Sequence, residues 1–103
     1  MAENINSGEQ INLETALSLV RSYRAQYPNN IKAHLVGATL LRSILEQPGC
    51  VGIRIYQGLD ENRVLAPVLV GVDENGEDMT QGVMVDKLGP CPPICAGPSV
   101  LMS

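Results

Sequence analysis

The 103-residue chain predicts an α+β fold: an N-terminal two-helix hairpin packed on a small antiparallel three-stranded meander, closed by an extended Pro- and Cys-rich tail. Apolar residues recur at helical spacing on either side of Pro28-Asn29-Asn30. From Cys50 onward the period falls to two, and apolar runs are then separated by short polar turn-forming stretches. Helices first and strands afterwards, with short links between strands, describe a helical layer laid on a meander.

Residues 1–10 are polar and carry no pattern, so they are expected to be disordered, leaving residues 11–103 as one domain that includes a tail over 89–103. Helix one is expected to begin at Asn12, whose side chain can accept from a first-turn N–H. Leu13, Ala16, Leu17, Val20, Tyr23 and Tyr27 share its apolar face, and Arg21 and Arg24 stand near the end where the helix dipole favours cations. Pro28 stops it, and Asn30 is expected to cap a second helix over residues 31–47, with Leu35, Ala38, Leu41 and Leu45 along one side. Gly37 inside that helix costs about 1 kcal/mol against Ala, which suggests a close approach of another backbone.

Pro48-Gly49 ends the second helix. In the next stretch Val51, Ile53 and Ile55 alternate with Gly52, Arg54 and Tyr56, as a half-buried strand requires. Residues 64–72 are apolar on both faces, which predicts a strand covered on both, with Pro67 at a bulge or edge because it cannot donate to a ladder. Asn75-Gly76 predicts a tight hairpin turn, and a third strand is expected over residues 79–85. Beyond Gly89 the prolines exclude helix and central strand.

The core must be aliphatic, because aromatic residues make up 3% of the chain and Phe and Trp are absent. A net charge of -4 excludes the basic face that tracks nucleic-acid phosphates. No apolar stretch approaches the ~20 residues of a membrane span. The N-terminus lacks the basic and apolar regions of a leader, so a cytoplasmic location is expected.

Two functional readings follow. The first is a non-enzymatic protein-binding or self-assembly module. Its contact face is formed by Arg54, Tyr56, Leu69 and the Pro- and Cys-rich tail, and it meets a protein partner or a second copy, because the strands hold more apolar residues than two helices can cover. If that face is closed instead, Arg54 needs a carboxylate, and Asp78 or Asp86 can supply it.

The second reading is a small metal or thiol protein. Cys91-Pro-Pro-Ile-Cys95 places two thiols on a stiffened loop. Cys50, with His34 as a fourth ligand, would complete a tetrahedral zinc or iron site. The same cysteines bridged across a local turn, with Cys50 a small buried residue, are the structural alternative. Thioredoxin-like chemistry fits less well, since the spacing is three rather than two and no helix follows to lower a thiol pKa. No nucleophile elbow, phosphate loop or His-Glu-x-x-His motif occurs, so an enzyme is not the expected class. Asp73, Asn75 and Asp78 lack the closing Glu of a calcium loop and read as an acidic turn.

Overall fold

The structure, a computed structural model, describes residues 6–102. The α+β class is as expected, with two α-helices and a three-stranded antiparallel sheet. Contacts divide the chain into two compact units, one built from Val36–Gly89 and the other from Gly8–Leu35 with the tail from Pro90. The expected disorder over residues 1–10 falls outside the described residues for its first half, and from Asn6 to Gln10 the side chains are exposed.

In the second of these units, helix α1 spans Leu13–Gln26, and the Asn12 side chain accepts from the Thr15 N–H at 2.8 Å, as its sequence position predicts. The Tyr23 and Tyr27 rings lie one turn apart with centroids separated by 5.2 Å. The expected second helix does not start at residue 31. Ala33–Leu35 forms strand β1, and α2 covers only Ala38–Leu45. Gly37 stands in extended conformation as the residue before α2, so the cost of a glycine inside a helix is not incurred. The backbone of residues 31–35 finds partners elsewhere: β1 pairs with a tail strand at Gly89–Cys91, and the Lys32 N–H donates to the Cys91 carbonyl at 2.7 Å. Helix propensity is a weak prior, and long-range pairing overrides it here.

The sheet unit holds α2 and the strands β2 (Cys50–Tyr56), β3 (Val68–Asp73) and β4 (Met84–Val85) in the order β2-β3-β4; the tail strand Gly89–Cys91 is therefore β5. The link from β2 to β3 is one long hairpin. Gly52 stands opposite Val72, Arg54 opposite Val70 and Tyr56 opposite Val68. The same register continues through Leu59 opposite Leu65 to the bonded pair of Asp60 and Val64. At the other end Cys50 faces Asp73, so Val51 is an extra residue, a bulge. That slip lets Cys50 and Ile53 share one face although they are three residues apart, and both pack against the core.

Two loops in this unit are built alike. In Asp73-Glu-Asn-Gly-Glu77, the Asp73 Oδ1 accepts from the N–H groups of Asn75 and Glu77 while the Asp73 carbonyl accepts from Gly76, which has φ +80°. In Asp60-Glu-Asn-Arg-Val64, the Asp60 Oδ1 accepts from Asn62 and Val64 and its carbonyl accepts from Arg63, with φ +64°. Both are three-residue hairpin loops whose last residue is left-handed. The repeated Asp-Glu-Asn is the sequence signal for this geometry, because an Asx side chain bonds the backbone two residues on.

The third strand is shorter than expected. Val72 and Asp78 form a bridge and the Met79 N–H reaches the Gly71 carbonyl, but regular pairing resumes only where Met84 meets Val70 and Val85 meets Leu69. Between them the Val83 N–H is taken by the Gln47 side-chain oxygen at 2.8 Å. The other end of the same amide donates to the Ile44 carbonyl at the end of α2, so Gln47 ties the helix to the approach to β4.

Ile44, Leu69 and Val85 are buried together, with Leu41, Cys50, Ile53 and Val83 packed against them. Leu69 pairs with Val85, and Gly71 pairs with Ile53, so these residues line the sheet face beneath α2. At Gly71 a Cβ would lie 2.9 Å from the Gln47 amide nitrogen, 3.1 Å from the Cys50 sulfur and 3.3 Å from Ile44. The close backbone approach expected at Gly37 does not occur, and the crowding at Gly71 comes from side chains.

Candidate functional site

The opposite face of the sheet carries Arg54, Tyr56, Val70 and Met84 by register. Arg54 and Tyr56, two residues apart on β2, both reach Asp78. The Arg54 guanidinium forms an ion pair with one carboxylate oxygen of Asp78, and the Tyr56 hydroxyl donates to the other. Arg54 also donates to the Gly76 carbonyl at 3.3 Å. Asp78 is bridged to Val72 on the far side of β3, so both side chains cross over β3 to meet it. Val70, the cross-strand neighbour of Arg54, is only 2% exposed beneath them. The charge on β2 thus roofs its own sheet face with its aliphatic stem, and the carboxylate it needs comes from Asp78.

The electrostatics follow the geometry. The Tyr56 hydroxyl first, and Arg54 second, hold the Asp78 carboxyl below the ordinary carboxylate range. Donation to Asp78 pushes the Tyr56 phenol up, because losing that proton would leave two anions together. Arg54 is held more firmly protonated by the same carboxylate.

Leu69 belongs elsewhere. It lies on the helix-side face at 3% exposure, whereas Arg54 and Tyr56 lie on the opposite face, so the three residues do not share one surface. The reason is the two-residue period: Leu69 and Val70 are adjacent and point to opposite faces. Exposed apolar surface appears instead where β2 runs into its loop, at Ile55 (58% exposed), Tyr56 and Leu59 (60%).

The cysteines divide into a bridge and a free thiol. Cys91 and Cys95 form a disulfide, Cys91 being buried and Cys95 exposed. Cys50 is unbridged and half-buried in the sheet unit, its Sγ donating to the Gly52 carbonyl at 3.2 Å. His34 sits half-buried on β1. Among the described residues no three His, Cys, Asp or Glu side chains are grouped as a metal site requires. No helix among them is long and apolar enough to cross a membrane. Comparison with protein-family models, with curated proteins and with solved structures finds no match.

Proposed function

We propose that this chain is a non-enzymatic protein-binding or self-assembly module that works through its sheet unit. The reading is carried by the exposure of Ile55 and Leu59 together on one face at the end of β2, with Tyr56 exposed on the other, in a unit whose buried core is small. Clustered apolar side chains at the surface mark contact sites more often than isolated ones do, and Tyr and Arg are favoured at the energetic centres of interfaces. The Arg54–Asp78–Tyr56 network supports the same reading, because it fixes the two β2 side chains in place before any contact is made. A photo-crosslinking side chain placed at Leu59 tests it. A discrete protein adduct, lost when Tyr56 and Ile55 are replaced by Ser, supports the module; absence of any adduct at high protein concentration removes it.

A second reading rests on the Cys91–Cys95 bridge. Cys91 is a buried residue and Cys95 an exposed one, an arrangement that favours attack of an incoming thiolate on Cys95 with Cys91 as the departing thiolate. A second external thiolate then attacks the incoming sulfur of the mixed disulfide, releasing the Cys95 thiolate and forming an external disulfide, so the pair cycles between disulfide and dithiol. The dithiol is the form in which Cys91 and Cys95 could bind a zinc or iron ion. A stable bridge is typical of an oxidising compartment, so the cytoplasmic location expected from the sequence requires the dithiol to be populated in the cell. Alkylation of the protein in intact cells, followed by mass measurement, decides between the two states. Metal analysis of the reduced protein decides whether that state holds an ion.

A further inference from the structure

The β2–β3 hairpin leaves one edge of the sheet unpaired, and the hydrogen-bond pattern identifies which groups face it. Residues opposite one another in an antiparallel ladder alternate between pairs that exchange both backbone bonds and pairs that exchange none. Asp60 donates to the Val64 carbonyl and Ala66 donates to the Gly58 carbonyl, which places the even-numbered residues of the β2 side in the bonded pairs. The N–H and C=O groups of Ile53, Ile55, Gln57 and Leu59 therefore point away from β3, along the outer edge. No other strand pairs with this edge among the described residues. Natural edges are blunted by lysine, proline or inward-pointing charge. Residues 50–59 contain no lysine and no proline, and their one charge, Arg54, is drawn back over the sheet to Asp78.

We infer that this edge pairs with the same edge of a second copy of the chain, antiparallel, about a two-fold axis at Gln57. The inference deepens the proposed module and rests on it. The choice of occupant comes from the complementarity of this register. With Gln57 opposite its counterpart, Ile55 faces Leu59 of the other copy, so two of the most exposed apolar side chains of the unit cover each other twice. Arg54 stands opposite Asp60, so no like charges meet across the new ladder. Tyr56 faces Gly58, where no side chain obstructs the ring. The bulge at Val51 falls outside the paired segment. Shifting the axis to Ile55 would bring Val51 opposite Leu59 and the bulge into the ladder, and an axis at Tyr56 would keep the edge groups paired but set Ile55 opposite Gln57 and Arg54 opposite Gly58, losing the apolar match. The product is a continuous six-stranded sheet, with an isologous contact as closed two-fold dimers require.

Sedimentation equilibrium of the full chain should give twice the 11.0 kDa chain mass, with exchange at the Ile55, Gln57 and Leu59 amides slowing as concentration rises. Ile55→Lys, at an exposed position, should weaken dimerisation at least roughly 100-fold, since each side chain is buried twice in the dimer, while the far-ultraviolet dichroism of the monomer stays unchanged. Register is read by cysteine crosslinking: Gln57→Cys should link to its own counterpart under mild oxidation and Ile55→Cys should not. A monomer at all concentrations, a dimer indifferent to Ile55→Lys, or self-linking of Ile55→Cys without Gln57→Cys overturns the inference. The Leu59 crosslink separates the two levels. An adduct of twice the chain mass supports both, an adduct with a different protein leaves the module standing and removes the second copy, and no adduct removes both.

Discussion

In the sheet unit Ile44, Leu69, Val70 and Val85 are withdrawn from water, whereas helix α1 in the other unit buries none of its residues. That second unit holds together by different bonds. Cys91 is its buried residue among those described and is bridged to Cys95; the Arg24 guanidinium donates to the Leu101 carbonyl at 2.8 Å, and the Lys32 N–H donates to Cys91. The Val100–Met102 3₁₀ turn lies against α1, and the Met102 sulfur is 4.0 Å from that of Cys91. Apolar burial holds one unit, and a cross-link with long-range hydrogen bonds holds the other. The difference teaches that amphipathic periodicity announces a helix but does not say whether its apolar stripe will be covered.

The contrast can be broken most forcefully at Ile44. Truncation by Ile44→Ala should cost about 2–5 kcal/mol, the usual range for a buried aliphatic, and should lower the urea midpoint of the sheet unit while amide exchange in α1 is unchanged. Reduction, or Cys95→Ser, should have the opposite distribution. The chain-entropy contribution of so short a loop is about 2 kcal/mol, and the loss should appear as faster exchange in α1 and β1 with the sheet core still protected. Equal effects on both units from either change would erase the distinction. Gln47→Ala should cost about 1.5 kcal/mol, because the half-buried Val83 N–H loses its acceptor. It should be read first in exchange at Val83 and Val85.

Arg63→Gly should act in the other direction. Arg63 occupies the left-handed position that Gly76 fills in the twin loop, and relief of that conformation is worth about 1 kcal/mol; a raised urea midpoint of the sheet unit checks it. The smallest expected effect is on pH dependence. The Asp78 pKa is lowered in the folded state, so its contribution is present above the ordinary carboxylate pKa of about 4 and is lost as pH falls through the lowered value. The Tyr56 pKa is raised, so its contribution is present below about 10 and is lost as pH climbs through the raised value. Asp78→Asn should flatten both limbs in a stability-versus-pH series. An unaltered acid limb would show that the network is screened by solvent at this partly exposed site.

Local chemistry alone was enough to place several features. Asn12 caps α1 because its side chain reaches a neighbour three residues on, and residues 50–56 form a strand because β-branched residues alternate there. Gly76 turns the chain because it tolerates positive φ. The second loop was equally legible, since Asp-Glu-Asn occurs twice, but the repeated tripeptide has to be noticed for Arg63 to be placed beside Gly76 in kind. The carboxylate partner of Arg54 was narrowed to Asp78 or Asp86, and only the bridge at Val72 selected Asp78.

Interactions spanning a few residues set the α+β class, the cap of α1, the β2 strand and the turn at Asn75-Gly76. Tertiary structure alone decided that residues 33–35 pair as a strand with the tail, that the Val51 bulge puts Cys50 on the core face, and that Leu69 is core while Ile55 and Leu59 are surface. These depend on which distant backbone supplies a hydrogen bond and which face a helix covers, and neither is encoded in the periodicity of the segment itself.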